Sequence, residues 1–87
     1  MKPELAKRIR KTIQSVGREH KWSQRLVRAI CKEMREDLIL PQLGLRRNAR
    51  IVFDYPSDAE ISITIGRRDF QFNRKTGECV SAGTFLG

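Results

Sequence analysis

Four cations recur at helical spacing in the second quarter of the chain, and they are the residues best able to bind an anion. Arg25, Arg28, Lys32 and Arg35 follow one another at intervals of 3, 4 and 3 residues, which places them on one side of a helix. They would span about 15 Å, comparable to two or three phosphate spacings on one nucleic-acid strand. The chain has 12 arginines and 6 lysines, and guanidinium groups suit phosphate oxygens and guanine edges better than ammonium groups do. The pattern predicts a polyanion-binding surface.

Other basic residues, and one aromatic residue, extend this predicted surface. Trp22 lies between Lys21 and Arg25, where it is equally suited to stack on a base, to anchor a protein interface or to staple its own helix. Alternatively, the cations of the predicted helix are simply solvated and bind no partner molecule. The predicted binding residues are Lys7, Lys11, Arg18, Lys21, Trp22, Arg25, Arg28, Lys32, Arg35, Arg46 and Arg47.

The excess positive charge is confined to the first part of the chain. Residues 1–50 contain 14 Lys and Arg against 5 Asp and Glu, whereas residues 51–87 contain 4 against 5, and the net charge is +8. Such an asymmetry gives the molecule a directed positive field. It favours a partner that is nucleic acid or an acidic protein surface.

Residue patterns for catalysis are weak, and we expect no enzymatic activity. His20 has no nucleophile obviously paired with it, so a small ribonuclease that uses this histidine is the least favoured function. Glu36 and Asp37 are adjacent in a predicted helix, so they point about 100° apart and form no carboxylate pair. No glycine-rich segment has the spacing and the lysine of a phosphate-binding loop.

The sequence also predicts no metal site, no cofactor and no membrane segment. With Cys31, Cys79 and a single histidine, one chain cannot assemble a four-ligand zinc site from these residue types. No apolar run approaches the length of about 18 residues that spans a bilayer. The charged N-terminus lacks the apolar centre of a secretion signal. We therefore expect a cytoplasmic protein, or one of the nucleoid or nucleus.

Two amphipathic helices are predicted to carry the basic residues. The first spans residues 3–16, with an apolar stripe from Leu5 to Val16 and Gly17 as its stop. The second spans residues 23–40, with Ser23 as N-cap and Trp22 placed to contact Val27. Its predicted apolar face comprises Leu26, Val27, Ile30, Cys31, Met34 and Leu38. A helix-turn-helix is disfavoured because the connection to Ser23 is too long and no third helix follows.

From residue 50 the apolar period changes to two, which predicts strands. The first strand carries Ile51, Phe53 and Tyr55, and residues 55–58 are predicted to form a turn. The turn at residues 66–67 suits a type II′ hairpin that pairs Ile63 with Phe70 and Ile61 with Phe72. Residues 73–77 form a second connection, in which Gly77 takes the position with positive φ. The closing strand spans residues 79–84.

Together these elements predict an α+β fold in one domain, residues 1–87. Two N-terminal amphipathic helices pack on one face of a three- to four-stranded antiparallel β-meander. Residues 1–40 form the helical layer and residues 50–84 the sheet. The sequence does not decide whether an exposed sheet edge pairs with a second copy of the chain to form a homodimer.

Two functions are consistent with this sequence. The favoured one is a small non-enzymatic protein that binds DNA or RNA through the basic helical face, mainly through phosphates. The alternative is a protein-binding adaptor or inhibitor that docks this basic surface onto an acidic partner, such as a larger nucleic-acid-processing enzyme.

Overall fold

Two helices precede four strands, and this order confirms the predicted α+β architecture. The computed structural model describes residues 3–34, 45, 46 and 48–84. The elements are α1 (Pro3–Glu19), α2 (Gln24–Glu33), β1 (Ile51–Ser57), β2 (Glu60–Ile65), β3 (Arg68–Asn73) and β4 (Cys79–Thr84). The strands form one antiparallel sheet in the order β1-β2-β3-β4, which is a four-stranded meander.

Helix α1 ends later than predicted. It continues through Gly17 to Glu19, so the predicted stop at Gly17 is wrong. The actual end is a Schellman motif, in which the N–H of Trp22 donates to the Gly17 carbonyl at 2.8 Å and the N–H of Lys21 donates to the Arg18 carbonyl at 3.3 Å. Lys21 takes the left-handed position with a φ of 58°, where glycine is the usual residue.

Gly17 serves helix packing rather than helix termination. It is buried, and a Cβ atom at this position would lie 2.6 Å from Cγ2 of Val27 and 3.4 Å from Cε3 of Trp22. Atoms cannot approach as closely as the first of these distances without displacement. Glycine at this position therefore allows α1 and α2 to lie in close contact.

Helix α2 begins as predicted, with Ser23 as its N-cap. The Ser23 Oγ accepts a hydrogen bond from the N–H of Leu26 at 3.1 Å, which satisfies one of the free donors of the first turn. Leu26, Ile30 and Met34 are buried. The helix ends at Glu33, with Met34 as its C-cap, so the predicted single helix to residue 40 is wrong. Residues 35–40, including Leu38, lie outside the described residues.

The sheet register also agrees with the prediction. Ile61 pairs with Phe72, and Ile63 pairs with Phe70. Gly66 has a φ of 62°, as the first position of a type II′ turn requires. Alternation along β2 and β3 is strict, so a single register places all of these apolar side chains on one face.

The first strand runs further than predicted. β1 continues through Pro56 to Ser57, so the predicted turn at residues 55–58 is wrong, and the chain reverses at residues 58–59. An edge strand tolerates proline because one side of its backbone needs no partner. The pairing register shifts between Asp54 and Ser57, which accommodates the proline.

The connection from β3 to β4 packs against helix α2. Asn73 Oδ1 accepts hydrogen bonds from the N–H groups of Lys75 at 2.9 Å and Thr76 at 3.1 Å. Gly77 has a φ of 73°, and a Cβ atom there would lie 2.5 Å from Cβ of Ala29. This connection therefore fixes the position of α2 relative to the sheet.

The core lies between the helices and one face of the sheet. Its fully buried residues come from both helices and from the two central strands, and they are Leu5, Ile9, Ile13, Leu26, Ile30, Met34, Ile61, Ile63, Ile65, Phe70 and Phe72. Because each helix faces the sheet with its apolar stripe, its opposite side faces solvent. Within the described part of the chain, no helix has the length and apolar character needed to cross a bilayer.

Candidate nucleic-acid interface

The outward side of the helical layer carries a cluster of exposed cations, which we call the basic face. At about 100° per residue, six of these side chains lie opposite the buried stripes of α1 and α2, and the seventh, Arg10, borders the stripe of α1 on the side that faces α2. All of them are exposed. The basic face comprises Lys7, Arg10, Lys11, Arg18, Arg25, Arg28 and Lys32.

The cations of the basic face have no partners among the residues that the structure describes. Over residues 3–34, 45, 46 and 48–84, none of the seven side chains forms an ion pair or a hydrogen bond. The carboxylates of the helices, Glu4, Glu19 and Glu33, lie at the helix ends. The positive field of this layer is therefore directed outward.

Arg8 shows what an internally satisfied arginine looks like in the same helix. It is half-buried, and its guanidinium donates a hydrogen bond to the backbone carbonyl of Ala49. At about 100° per residue, Arg8 and Arg10 are about 160° apart around the axis of α1, so their side chains point to nearly opposite sides of the helix. Arg8 therefore fastens α1 to the segment before β1 and does not belong to the basic face.

A groove separates α1 from α2 on this outward side, and we call it the interhelical groove. It encloses about 870 Å³. Its polar lining consists of Arg10, Gln14, Arg18, Gln24, Arg28 and Lys32, and no carboxylate lines it among the described residues. The half-buried Val27 and Cys31 form the accessible part of its floor, above the buried Ile9, Ile13, Gly17 and Met34. The groove thus combines an apolar base with a purely cationic and amide rim.

Trp22 closes one end of the interhelical groove. It is half-buried and packs against the core, with ring centroids 6.2 Å from Phe53 and 6.4 Å from Tyr55. Its indole Nε1 is buried and has no hydrogen-bond partner among the described residues. Trp22 therefore has a packing role in this structure, and its predicted contact with a ligand stays a prediction.

His20 and Tyr55 extend this aromatic cluster away from the groove. Their ring centroids are 5.1 Å apart, and the His20 ring stacks on Trp22 at 6.2 Å. Burial raises the pKa of Tyr55; the nearby Arg74 opposes this effect and Glu19 adds to it. The Tyr55 hydroxyl is buried without a hydrogen-bond partner among the described residues.

The two cysteines lie in different layers, are both half-buried and do not form a disulfide with each other. Cys31 lines the interhelical groove, whereas Cys79 begins β4. Burial raises the pKa of Cys79, although the hydrogen bond from its thiol to the Ser81 carbonyl opposes the shift. In the described segments, no group of three or more His, Cys, Asp or Glu side chains is arranged to hold a metal ion.

The structure brings together six of the eleven predicted binding residues on the basic face. These six are Lys7, Lys11, Arg18, Arg25, Arg28 and Lys32. Lys21 is exposed at the α1–α2 corner, beside Trp22. Arg46 is exposed in the segment before β1, three residues before Ala49, and does not line the groove. Arg35 and Arg47 lie outside the described residues.

Sequence reasoning missed three residues of the groove: Arg10, Gln14 and Gln24. The signal that could have found the first two is the spacing of Ala6, Arg10, Gln14 and Gly17 along α1. The small residues at the ends of this row allow a second helix to approach. The intervening long polar side chains therefore border the contact with α2.

Comparison of this chain with models of protein families, with curated proteins and with solved structures finds no match. Its role must therefore be argued from its own residues. The strongest such argument is the basic face, whose seven exposed cations have no partner among the described residues and of which four line the groove.

Proposed function

We propose that this protein is a small non-enzymatic nucleic-acid-binding protein that binds DNA or RNA through the basic face. The observation that carries the proposal is the concentration of seven exposed cations on one side of the helical layer, without ion pairs among the described residues. Phosphate contacts would supply most of the affinity, because they neutralise these charges and release counterions from the nucleic acid.

The dimensions of the basic face suit a phosphate backbone. At about 1.5 Å per residue, Arg25 and Lys32 lie about 10 Å apart along α2, and Lys7 and Arg18 lie about 16 Å apart along α1. Two such rows can contact several successive phosphates. If six of them are engaged, affinity should fall about 1000-fold between about 50 and about 200 mM salt.

Clustering these cations has a cost in stability, which supports a role in binding. Arg28 and Lys32 stand at i and i+4, where like charges destabilise a helix by about 0.2–0.5 kcal/mol. A carboxylate at either position would remove this repulsion. An anionic partner would offset it as well, and would do so only in the complex.

Charge reversal at the start of α2 tests the proposal. In the double variant Arg25→Glu/Arg28→Glu, we expect affinity for labelled oligonucleotides to fall about 100-fold, because two phosphate contacts become repulsions. Fluorescence anisotropy at low salt measures the Kd. Circular dichroism should show an intact fold, because carboxylates near a helix N-terminus are favourable.

A matched control separates a specific surface from net charge. The double variant Arg67→Glu/Arg74→Glu makes the same charge change at two exposed residues of the hairpin connections, and we expect its affinity to fall less than about threefold. An equal loss in both double variants, or no loss in either, would contradict the proposal.

The apolar floor of the interhelical groove supports one alternative function, an adaptor or inhibitor of an acidic protein. An acidic amphipathic helix could lay its apolar face on this floor and its carboxylates against the rim. A pull-down after nuclease treatment distinguishes the two functions. A specific protein retained under these conditions, together with no oligonucleotide binding, would favour the alternative.

A further inference from the structure

The basic face is not flat, because the interhelical groove runs along it, and this shape distinguishes between forms of nucleic acid. We propose that the groove binds one strand of single-stranded nucleic acid, whose phosphates lie between the cations of the two helices. The inference rests on the proposed function, since it names the form of nucleic acid that the basic face binds.

Four of the seven cations line the groove from opposite sides. Arg10 and Arg18 come from α1, and Arg28 and Lys32 come from α2. A strand that lies in the groove is therefore contacted from both walls, whereas a ligand resting on top of the helices meets mainly the outer side chains. Because no carboxylate lines the groove within the described residues, its charge is complementary to a phosphodiester backbone along its length.

The close packing of the helices limits what can enter. The absence of a Cβ at Gly17 allows Val27 to lie against the α1 backbone, and packed helix axes are about 8–10 Å apart. A duplex is too wide to enter a groove between two such helices. It would rest on the outward ends of the exposed side chains of both helices, without reaching the floor of the groove.

The floor and the rim of the groove also suit unpaired bases. A base presents an apolar π-face that can pack on side chains such as Val27, and the indole of Trp22 stands at one end of the groove. The amides of Gln14 and Gln24 can donate and accept hydrogen bonds at base edges. In a duplex the Watson–Crick edges are paired and the base faces are stacked, so neither stacking on Val27 nor a hydrogen bond at those edges is available.

A comparison of nucleic-acid forms is the first test. Labelled oligonucleotides of about 12 nucleotides, as single-stranded DNA, as single-stranded RNA and as duplex DNA of the same sequence, are titrated at low salt and followed by anisotropy. We expect both single strands to bind about tenfold more tightly than the duplex. Duplex binding that is equal or tighter would overturn the inference while leaving the proposed function intact. Binding of no form would contradict the proposed function itself.

Two double variants in the same helix locate the contact. Arg10→Gln/Arg18→Gln removes groove cations, and Lys7→Gln/Lys11→Gln removes the same charge from the outer side of α1. We expect the first to weaken single-strand binding about tenfold and the second about threefold, because Lys7 and Lys11 belong to the basic face but lie outside the groove and act on the strand at longer range. Equal losses in both would place the strand outside the groove and overturn the inference.

The rate at which Cys31 is alkylated measures whether the groove is occupied, and Cys79 is the internal control. A saturating single-stranded oligonucleotide should slow the alkylation of Cys31 by iodoacetamide, measured by peptide mass spectrometry, and leave Cys79 unchanged. Unchanged Cys31 alkylation in the bound state would overturn the inference. Protection by an acidic helical peptide, with none by any oligonucleotide, would assign the groove to a protein partner instead.

Discussion

The outer surface of the helical layer and the outer surface of the sheet differ in whether their charged groups have partners within the protein. On the sheet, Asp69 accepts hydrogen bonds from Ser62 Oγ at 2.6 Å and Thr64 Oγ1 at 3.2 Å, and Ser62 is only 8% exposed. On the helices, seven cations have no partner among the described residues. The sheet surface satisfies its polar groups internally, whereas the helical surface leaves its charges available to an external anion.

The two surfaces also differ in sign. Asp54 pairs with Ser62 across β1 and β2, and Glu60 is two residues from Ser62 on β2, so both point to the same side of the sheet as Asp69. The sheet surface is therefore acidic and the helical surface basic. This polarity would orient a polyanion toward the helices and repel it from the sheet.

The largest expected effect comes from Gly17→Ala, which perturbs the helical layer alone. The new Cβ would lie 2.6 Å from Cγ2 of Val27, so either the Val27 side chain or the helices must shift. We expect a loss of about 2 kcal/mol in the free energy of unfolding, despite the better helix propensity of alanine. Urea denaturation measures the loss, and single-strand binding should weaken because the groove changes shape.

The variant Val27→Ala in the Gly17→Ala background is the control, because it removes the methyl group that meets the new Cβ. We expect the double variant to lose less stability than the two single variants together. Strict additivity would show that the contact between α1 and α2 is not the source of the loss.

A smaller effect is expected from Asp69→Ala on the sheet surface. It leaves the nearly buried Ser62 hydroxyl without its acceptor, and we expect a loss of about 1–2 kcal/mol. Asp69→Asn, which keeps an acceptor oxygen, should lose less. Nucleic-acid affinity should be unchanged in both variants. Weaker binding by Asp69→Ala in its folded state would contradict the separation of roles between the two surfaces.

The smallest effect is a gain in stability. Arg28→Glu replaces an i,i+4 repulsion with an attraction to Lys32, and we expect thermal denaturation to show a gain of about 0.5 kcal/mol. Nucleic-acid affinity should fall in the same variant, since Arg28 lines the groove. Arg28→Gln should give an intermediate result for both quantities. A loss of stability on charge reversal would show that this arginine stabilises the fold.

The sequence by itself determined the α+β fold, the start of α2 at Ser23 and the pairing of Ile61 with Phe72. These features depend on local signals: the apolar period, a side chain that caps the first turn, and glycines at positions that need positive φ. The placement of the cations on the outer side of α2 followed from the same period. Such signals act over a few residues, so they can be read without knowing the neighbouring elements.

Only the tertiary structure decided how the two helices meet. Gly17 is a typical helix stop in sequence, yet it is an interior packing position, because Val27 occupies the space where a side chain would lie. Likewise, Pro56 suggested a turn, and its position in an edge strand allowed β1 to continue. The groove and the inclusion of Arg10 in its lining depend on the approach of α2 to α1. The small residues Ala6 and Gly17 permit that approach, but its geometry is set by contacts between separate elements, such as Gly77 against Ala29.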